Sequence, residues 1–121
     1  MTSIDMDDGS GEEPGEGSGD DIDLTIVTLR FDATDDAALL GVLSKYVVVS
    51  RMAPGCRNVD LVSSVTVPGR HLVIEKWDSP HHQRAHFDSE TMIEMATGCA
   101  GVLAHPPQID LWAATSAHDL R

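Results

Sequence analysis

The segment 54–90, PGCRNVDLVSSVTVPGRHLVIEKWDSPHHQRAHFDSE, decides the fold. Asn58 to Thr66 reads as a strand, with Val59 and Leu61 on one face and Val62 on the other. Pro68-Gly69 is a turn signal. Arg70 to Trp77 is a second strand. Its Leu72 and Ile74 share one face, and Val73, Glu75 and Trp77 share the other. Two strands this close across Pro-Gly form an antiparallel hairpin. Ser79-Pro80 then opens a helix, a capping hydroxyl followed by proline at the first helical position. This strand-to-helix corner crowds an indole, a carboxylate and the imidazoles of His81, His82 and His86 together, which makes it the candidate chemical site.

Upstream, Leu24 to Phe31 (LTIVTLRF) is short, apolar and β-branched, a strand. Thr34-Asp35-Asp36 offers a capping hydroxyl and then carboxylates near the positive end of a helix dipole. Leu39, Val42, Leu43, Tyr46 and Val47 follow at helical spacing. Val47-Val48-Val49 favours strand on propensity, but the periodicity predicts a helix to about Arg51, ended by Pro54-Gly55. Downstream, Asp88-Ser89-Glu90 restarts a helix. Its stripe of Met92, Ala96, Cys99 and Leu103 runs to a stop at His105-Pro106-Pro107. Ile109 to Thr115 is the last strand. Trp112 is expected in the core or at a dimer interface, and Cys99 packed within the last helix.

The order is β-α-β-β-α-β with the second helix broken. That is an α+β, ferredoxin-like arrangement, an antiparallel sheet covered by helices on one face. Apolar residues on the other face call for a second copy of the chain, hence a homodimer.

Charge divides the chain. It has 121 residues and a formal net charge of −12. Residues 1–21 hold eight of its 20 acidic residues and no Lys or Arg. With Gly and Ser abundant and only Met1, Ile4 and Met6 apolar, residues 1–22 read as a disordered acidic tail. Residues 23–116 form the folded domain, and 117–121 a frayed end. The domain carries no basic stripe, which argues against nucleic acid. Neither a secretory signal nor a membrane-length apolar run is visible, so a cytoplasmic protein with no membrane partner is expected. Cys56 and Cys99 stand far apart in sequence and outside any CxxC, and read as reduced thiols.

The run Pro54-Gly55-Cys56, then a strand, then Glu75-x-Trp77, a helix start at Ser79, His86 and Ser89 resembles the antibiotic biosynthesis monooxygenase domain over residues 24–115. The resemblance implies a dimeric α+β barrel, two sheets face to face with helices outside, and a pocket in each subunit between sheet and helices. Some members of that family oxidise polyphenols or quinols with O2 and no cofactor; others degrade haem. The haem branch carries an Asn on the first strand, a Trp where His86 stands, and an axial His near Met95. Strand one offers Thr25 and Thr28 instead, and no His lies near Met95, so haem is not expected.

His86 is the candidate catalytic base, since a neutral imidazole suits proton removal from a phenol near neutral pH. The phenolate can then pass an electron to O2 without a cofactor. Trp77 offers a wall for an aromatic substrate. Tyr46 can hydrogen-bond a quinol oxygen. Arg51 and Met52, late on the first helix, line the pocket in this fold, and Asn58 is a further polar substrate contact. His82 and His86 share a helix face, but with no HExxH and no convincing third ligand a metal site is not expected. The expected partners are therefore a small aromatic substrate, O2 and a second copy. The alternative is a non-catalytic small-molecule-binding or dimerisation module of the same fold.

Overall fold

A computed structural model describes residues 24–115. The acidic tail and the C-terminal residues 117–121 lie outside the described residues. Four strands and three helices follow the order β1 (Thr25–Asp32), α1 (Asp36–Ser50), β2 (Cys56–Ser63), β3 (Arg70–Trp77), α2 (Pro80–Phe87), α3 (Glu90–Gly98) and β4 (Gln108–Ala113). The sheet has the order β2-β3-β1-β4, every pair antiparallel. This is the expected α+β, ferredoxin-like arrangement with its second helix broken.

Strand alternation decides which face is covered. Val27, Leu29 and Phe31 of β1 and His71, Val73, Glu75 and Trp77 of β3 point toward the helices and are buried. The register sets Val27 opposite Glu75 and Leu29 opposite Val73, so both strands share that face. Helix α1 lays Leu39, Leu43, Tyr46, Val47 and Ser50 on it. The Val47-Val48-Val49 run is helical, because Val47 completes the buried stripe while Val48 faces solvent. Here tertiary burial outweighs the modest helix penalty of β-branched residues.

Boundaries depart from the sequence expectation where local hydrogen bonds compete with the regular element. Asp35, not Thr34, caps α1, its carboxylate accepting from the Ala38 amide at 3.1 Å. Strand β2 ends at Ser63 rather than Thr66, because the Ser64 hydroxyl accepts from the amides of Thr66 and Val67 and pulls the chain into a turn. Helix α3 ends at Gly98 with Cys99 as its cap, well before His105. Gly101 sits at φ +82°, where the chain leaves the helical direction. Leu103 is therefore off the helix, paired with Ala33 in a short bridge. Trp112 is not in the core: it is 54% exposed, its indole N–H donating to Thr28 Oγ1 at 2.9 Å. Both cysteines are free thiols. Among the described residues no helix is long and apolar enough to cross a membrane.

Leu43 is fully buried between α1 and the sheet. Leu43→Ala is expected to cost about 2–5 kcal/mol through lost transfer energy and the cavity left behind. Urea unfolding should show this as a lower midpoint with an unchanged slope.

Candidate active site

Three elements, β3, α1 and α2, converge at one point of the interface. Strand β3 has period two, so Glu75 and Trp77 both face the helices. Tyr46 and Ser50 lie one turn apart on α1 and face the sheet. His86, in the last turn of α2, descends between them. All five side chains are buried.

The Glu75 carboxylate is the centre of the network. Its Oε2 accepts the Tyr46 hydroxyl in a short contact, and its Oε1 accepts the Trp77 indole N–H at 3.1 Å. The His86 Nε2 lies 3.2 Å from the Tyr46 hydroxyl and 3.1 Å from the Ser50 hydroxyl. The His86 ring leans on Trp77, with centroids 4.7 Å apart and planes at 34°. Among the described residues nothing bonds Nδ1 of His86. The polar groups of Glu75, Tyr46, Trp77 and Ser50 thus each have the partner that burial demands.

Burial pushes every titratable group here toward its neutral form. It raises the Glu75 pKa, against the lowering effect of the Tyr46 and Trp77 hydrogen bonds. It raises the Tyr46 phenol, with the nearby Glu75 charge adding to the effect. It lowers His86, so the imidazole stays unprotonated below its ordinary range.

A cleft of about 580 Å³ opens over this network. Val49, Met52, Ala53, Pro54 and Ala85 give it apolar walls, and His82, His86, Ser89 and Thr91 its polar groups. Its size falls in the usual range for small-molecule sites, about 300–1,000 Å³. A second space of about 190 Å³ lies between α1 and α3 and reaches Tyr46, Val49, Thr91 and Met95. A third, of about 340 Å³, lies between α3 and the sheet, lined by Phe31, Met92, Met95, Cys99 and Ile109 among others.

The structure brings His86, Tyr46 and Met52 to this region but not all of the expected set. Trp77 is fully buried and supports the His86 ring instead of presenting a wall to a ligand. The Arg51 guanidinium donates twice to the Val59 carbonyl, at 3.0 and 2.9 Å, tying the end of α1 to β2. Asn58 lies opposite Lys76 on the open face of the sheet, its amide donating to Asp60. His82 and His86 do not converge on one point, since His82 Nδ1 engages Asp78 at 2.6 Å while His86 turns inward. No group of three or more His, Cys, Asp or Glu suited to a metal ion occurs among the described residues. Ser50 went unrecognised in the sequence. Its signal was a hydroxyl one turn after Tyr46, on the apolar stripe of α1.

Comparison with known proteins identifies the family. The family model described as antibiotic biosynthesis monooxygenase matches residues 24–97. The chain belongs to that family. No curated protein matches it significantly in sequence. Among solved structures, Rv0793 from Mycobacterium tuberculosis is similar with a TM-score of 0.70 and 23% identity, covering 76% of this chain and 95% of that one. PA3566 from Pseudomonas aeruginosa gives 0.69 and 22%, covering 81% and 99%. A candidate antibiotic biosynthesis monooxygenase from Deinococcus radiodurans gives 0.70 and 19%, covering 77% and 94%. At these identities the likeness establishes the shared fold.

The direction of the Glu75 shift fixes a stability trend. In the unfolded chain the carboxyl ionises near its ordinary 4.5, whereas the folded protein holds the proton to higher pH. Stability on this account falls as pH rises from 4.5 through the raised value. His86 acts oppositely, its contribution falling as pH drops below the ordinary 6.5. Glu75→Gln removes the first trend. The unfolding free energy of Glu75→Gln relative to wild type should therefore climb as pH rises above 4.5, measured by urea titration at several pH values. A difference independent of pH would refute the assignment.

Proposed function

We propose that the protein is a cofactor-independent monooxygenase that uses O2 on a small aromatic, polyphenol or quinol substrate bound in the cleft over His86. The observation that carries this reading is the hydrogen-bond chain from Glu75 through Tyr46 to His86, ending at the cleft wall. A phenol is inert to O2 until it loses its proton, and the protein's task is to remove that proton in a dry, oriented site.

His86 does this with Nδ1. Its Nε2–H donates toward the Ser50 and Tyr46 oxygens, while the Tyr46 O–H donates to Glu75. When Nδ1 accepts the substrate proton, the ring becomes cationic close to the Glu75 carboxylate. The short Tyr46–Glu75 contact offers the charge a route inward: Nε2–H passes to Tyr46 as Tyr46–H passes to Glu75. The raised pKa of Glu75 favours its taking that proton. The phenolate gives one electron to O2, and the two radicals recombine within the cleft. Val49, Met52 and Ala85 supply apolar walls for the ring, and Trp77 holds the imidazole from behind.

The same reading includes a homodimer. The open face of the sheet carries Ile26, Val62, Leu72, Ile74 and Trp112, interleaved with Arg30, Lys76, Asp60 and Asp110. Mixed charges beside apolar residues suit pairing with a copy of the same face. Light scattering at micromolar concentration should report twice the 13.0 kDa chain mass. A clean monomer would remove the barrel.

His86→Ala is expected to lower oxygen uptake on a quinol panel roughly 10²–10⁴-fold, the span for losing a general base, with the assembly intact. His86→Gln keeps a hydrogen-bonding group but no base, and should remain equally slow. A purely structural histidine gives the opposite pattern, with Ala unstable, Gln partly rescued and activity tracking the folded fraction. Wild-type uptake in folded His86→Ala would leave the binding-module reading.

A further inference from the structure

The cleft holds a second imidazole. His82 stands one helical turn before His86, so the two share a face of α2, with Cβ atoms roughly 5–6 Å apart. Both line the cleft. Their surroundings differ. His86 is buried, but His82 is about one-third exposed and reachable from the cleft. Its Nδ1 lies 2.6 Å from the Asp78 carboxylate, and among the described residues nothing engages its Nε2. A carboxylate can only accept, so in the neutral ring it places the imidazole proton on Nδ1 and leaves the Nε2 lone pair free. This is the logic by which an acidic side chain prepares a histidine for proton transfer.

The seat of His82 is built. A Cβ on Gly55 would fall 2.3 Å from His82 Nδ1, so the ring occupies space that only glycine leaves. Gly55 also has φ +79°, a conformation side chains resist. Its carbonyl accepts the Asp78 amide at 2.9 Å, which holds the carboxylate and the bare loop side by side. Ser79 caps the His82 amide at 3.1 Å.

Resting on the function proposed above, we infer that His82, positioned by Asp78, is a second proton-transfer group that acts on the ring hydrogen beside the hydroxyl that His86 deprotonates. Two imidazoles one helical turn apart on the same cleft can serve the two proton transfers of this reaction. Hydroquinone plus O2 gives hydroxybenzoquinone plus water; the ring loses four electrons and O2 gains them. His86 takes the first phenolic proton. After electron transfer and recombination, a carbon–oxygen bond joins O2 to the neighbouring ring carbon as a peroxide, which regains the proton from His86. His82 Nε2 then removes the hydrogen on that carbon as a proton. Its electron pair forms the new carbonyl, the O–O bond breaks, and the departing hydroxide takes the proton from His82 to become water.

The two histidines therefore fail differently. With hydroquinone and 1,4-dihydroxynaphthalene as probes, oxygen uptake, quinone product and peroxide are measured together. His82→Gln should still consume O2 but yield several-fold less quinone per O2, with peroxide appearing in its place. Gln suits the third helical position, so α2 is retained. Asp78→Asn should uncouple in the same direction to a lesser degree, whereas His86→Gln should lose uptake itself. Full quinone yield and no peroxide in His82→Gln overturns the role of His82 and leaves the oxygenase reading standing. A wild-type protein that consumes no O2 on either quinol overturns both.

Discussion

A carboxyl group sits at the bottom of the helix–sheet interface, and the rest of the site is arranged to satisfy it. Glu75 is on the covered face of the central strand β3, where water cannot solvate it. Leaving such a group without partners costs about 1–3 kcal/mol or more. The remedy dictates geometry at a distance. Tyr46 must face the sheet, which fixes the rotation of α1 about its axis. Trp77 must turn its N–H back two residues along its own strand. Once Tyr46 and Trp77 are set, they leave a slot, and His86 of α2 fills it with Ser50 closing the other side. The inward end of α2 is thus positioned by polar complementarity as much as by apolar packing.

That arrangement separates two tasks along one short helix. The far end of α2 plugs into the core, and its near end meets the loop at Gly55. Sparse packing is affordable here because α2 is clamped at both termini: Ser79 caps its start, and the Ser89 hydroxyl donates to the His86 carbonyl at its end. The break between α2 and α3 follows from the same residue, since Ser89 also caps α3 through the Met92 amide. One serine ends one helix and begins the next.

Much of the fold was legible because its signals were redundant. The β2–β3 hairpin had alternation and Pro-Gly; α1 had both a periodic stripe and carboxylates at its start; α2 had Ser-Pro. Legibility failed where a single hydrogen bond moved a boundary. Nothing in the pattern separates Thr34 from Asp35 as the cap, and the hydroxyl of Ser64 competes with a ladder that its β-branched neighbours would otherwise extend. The site followed the same rule. His86 and Tyr46 could be read as candidates from their places in the pattern, and the shared face of Glu75 and Trp77 followed from strand period. That Ser50 meets the His86 ring and Trp77 backs it depended on how helix and sheet dock, which a one-dimensional pattern does not encode. Arg51 was misplaced for the opposite reason: a long side chain can reach a carbonyl well away from the direction its helical position suggests.

Met95 lines both the space between α1 and α3 and the one between α3 and the sheet. The partition between those two voids is in this respect one unbranched side chain, with three rotatable bonds and a polarizable sulfur. Cys99 donates its thiol hydrogen to that sulfur at 3.6 Å, a weak tether. The interior on this side is thereby compliant in a way the Glu75 network is not. Its free volume can be redistributed by a change of rotamer without moving the backbone, so guest size on this flank answers to a torsional barrier rather than to the stiffness of the sheet.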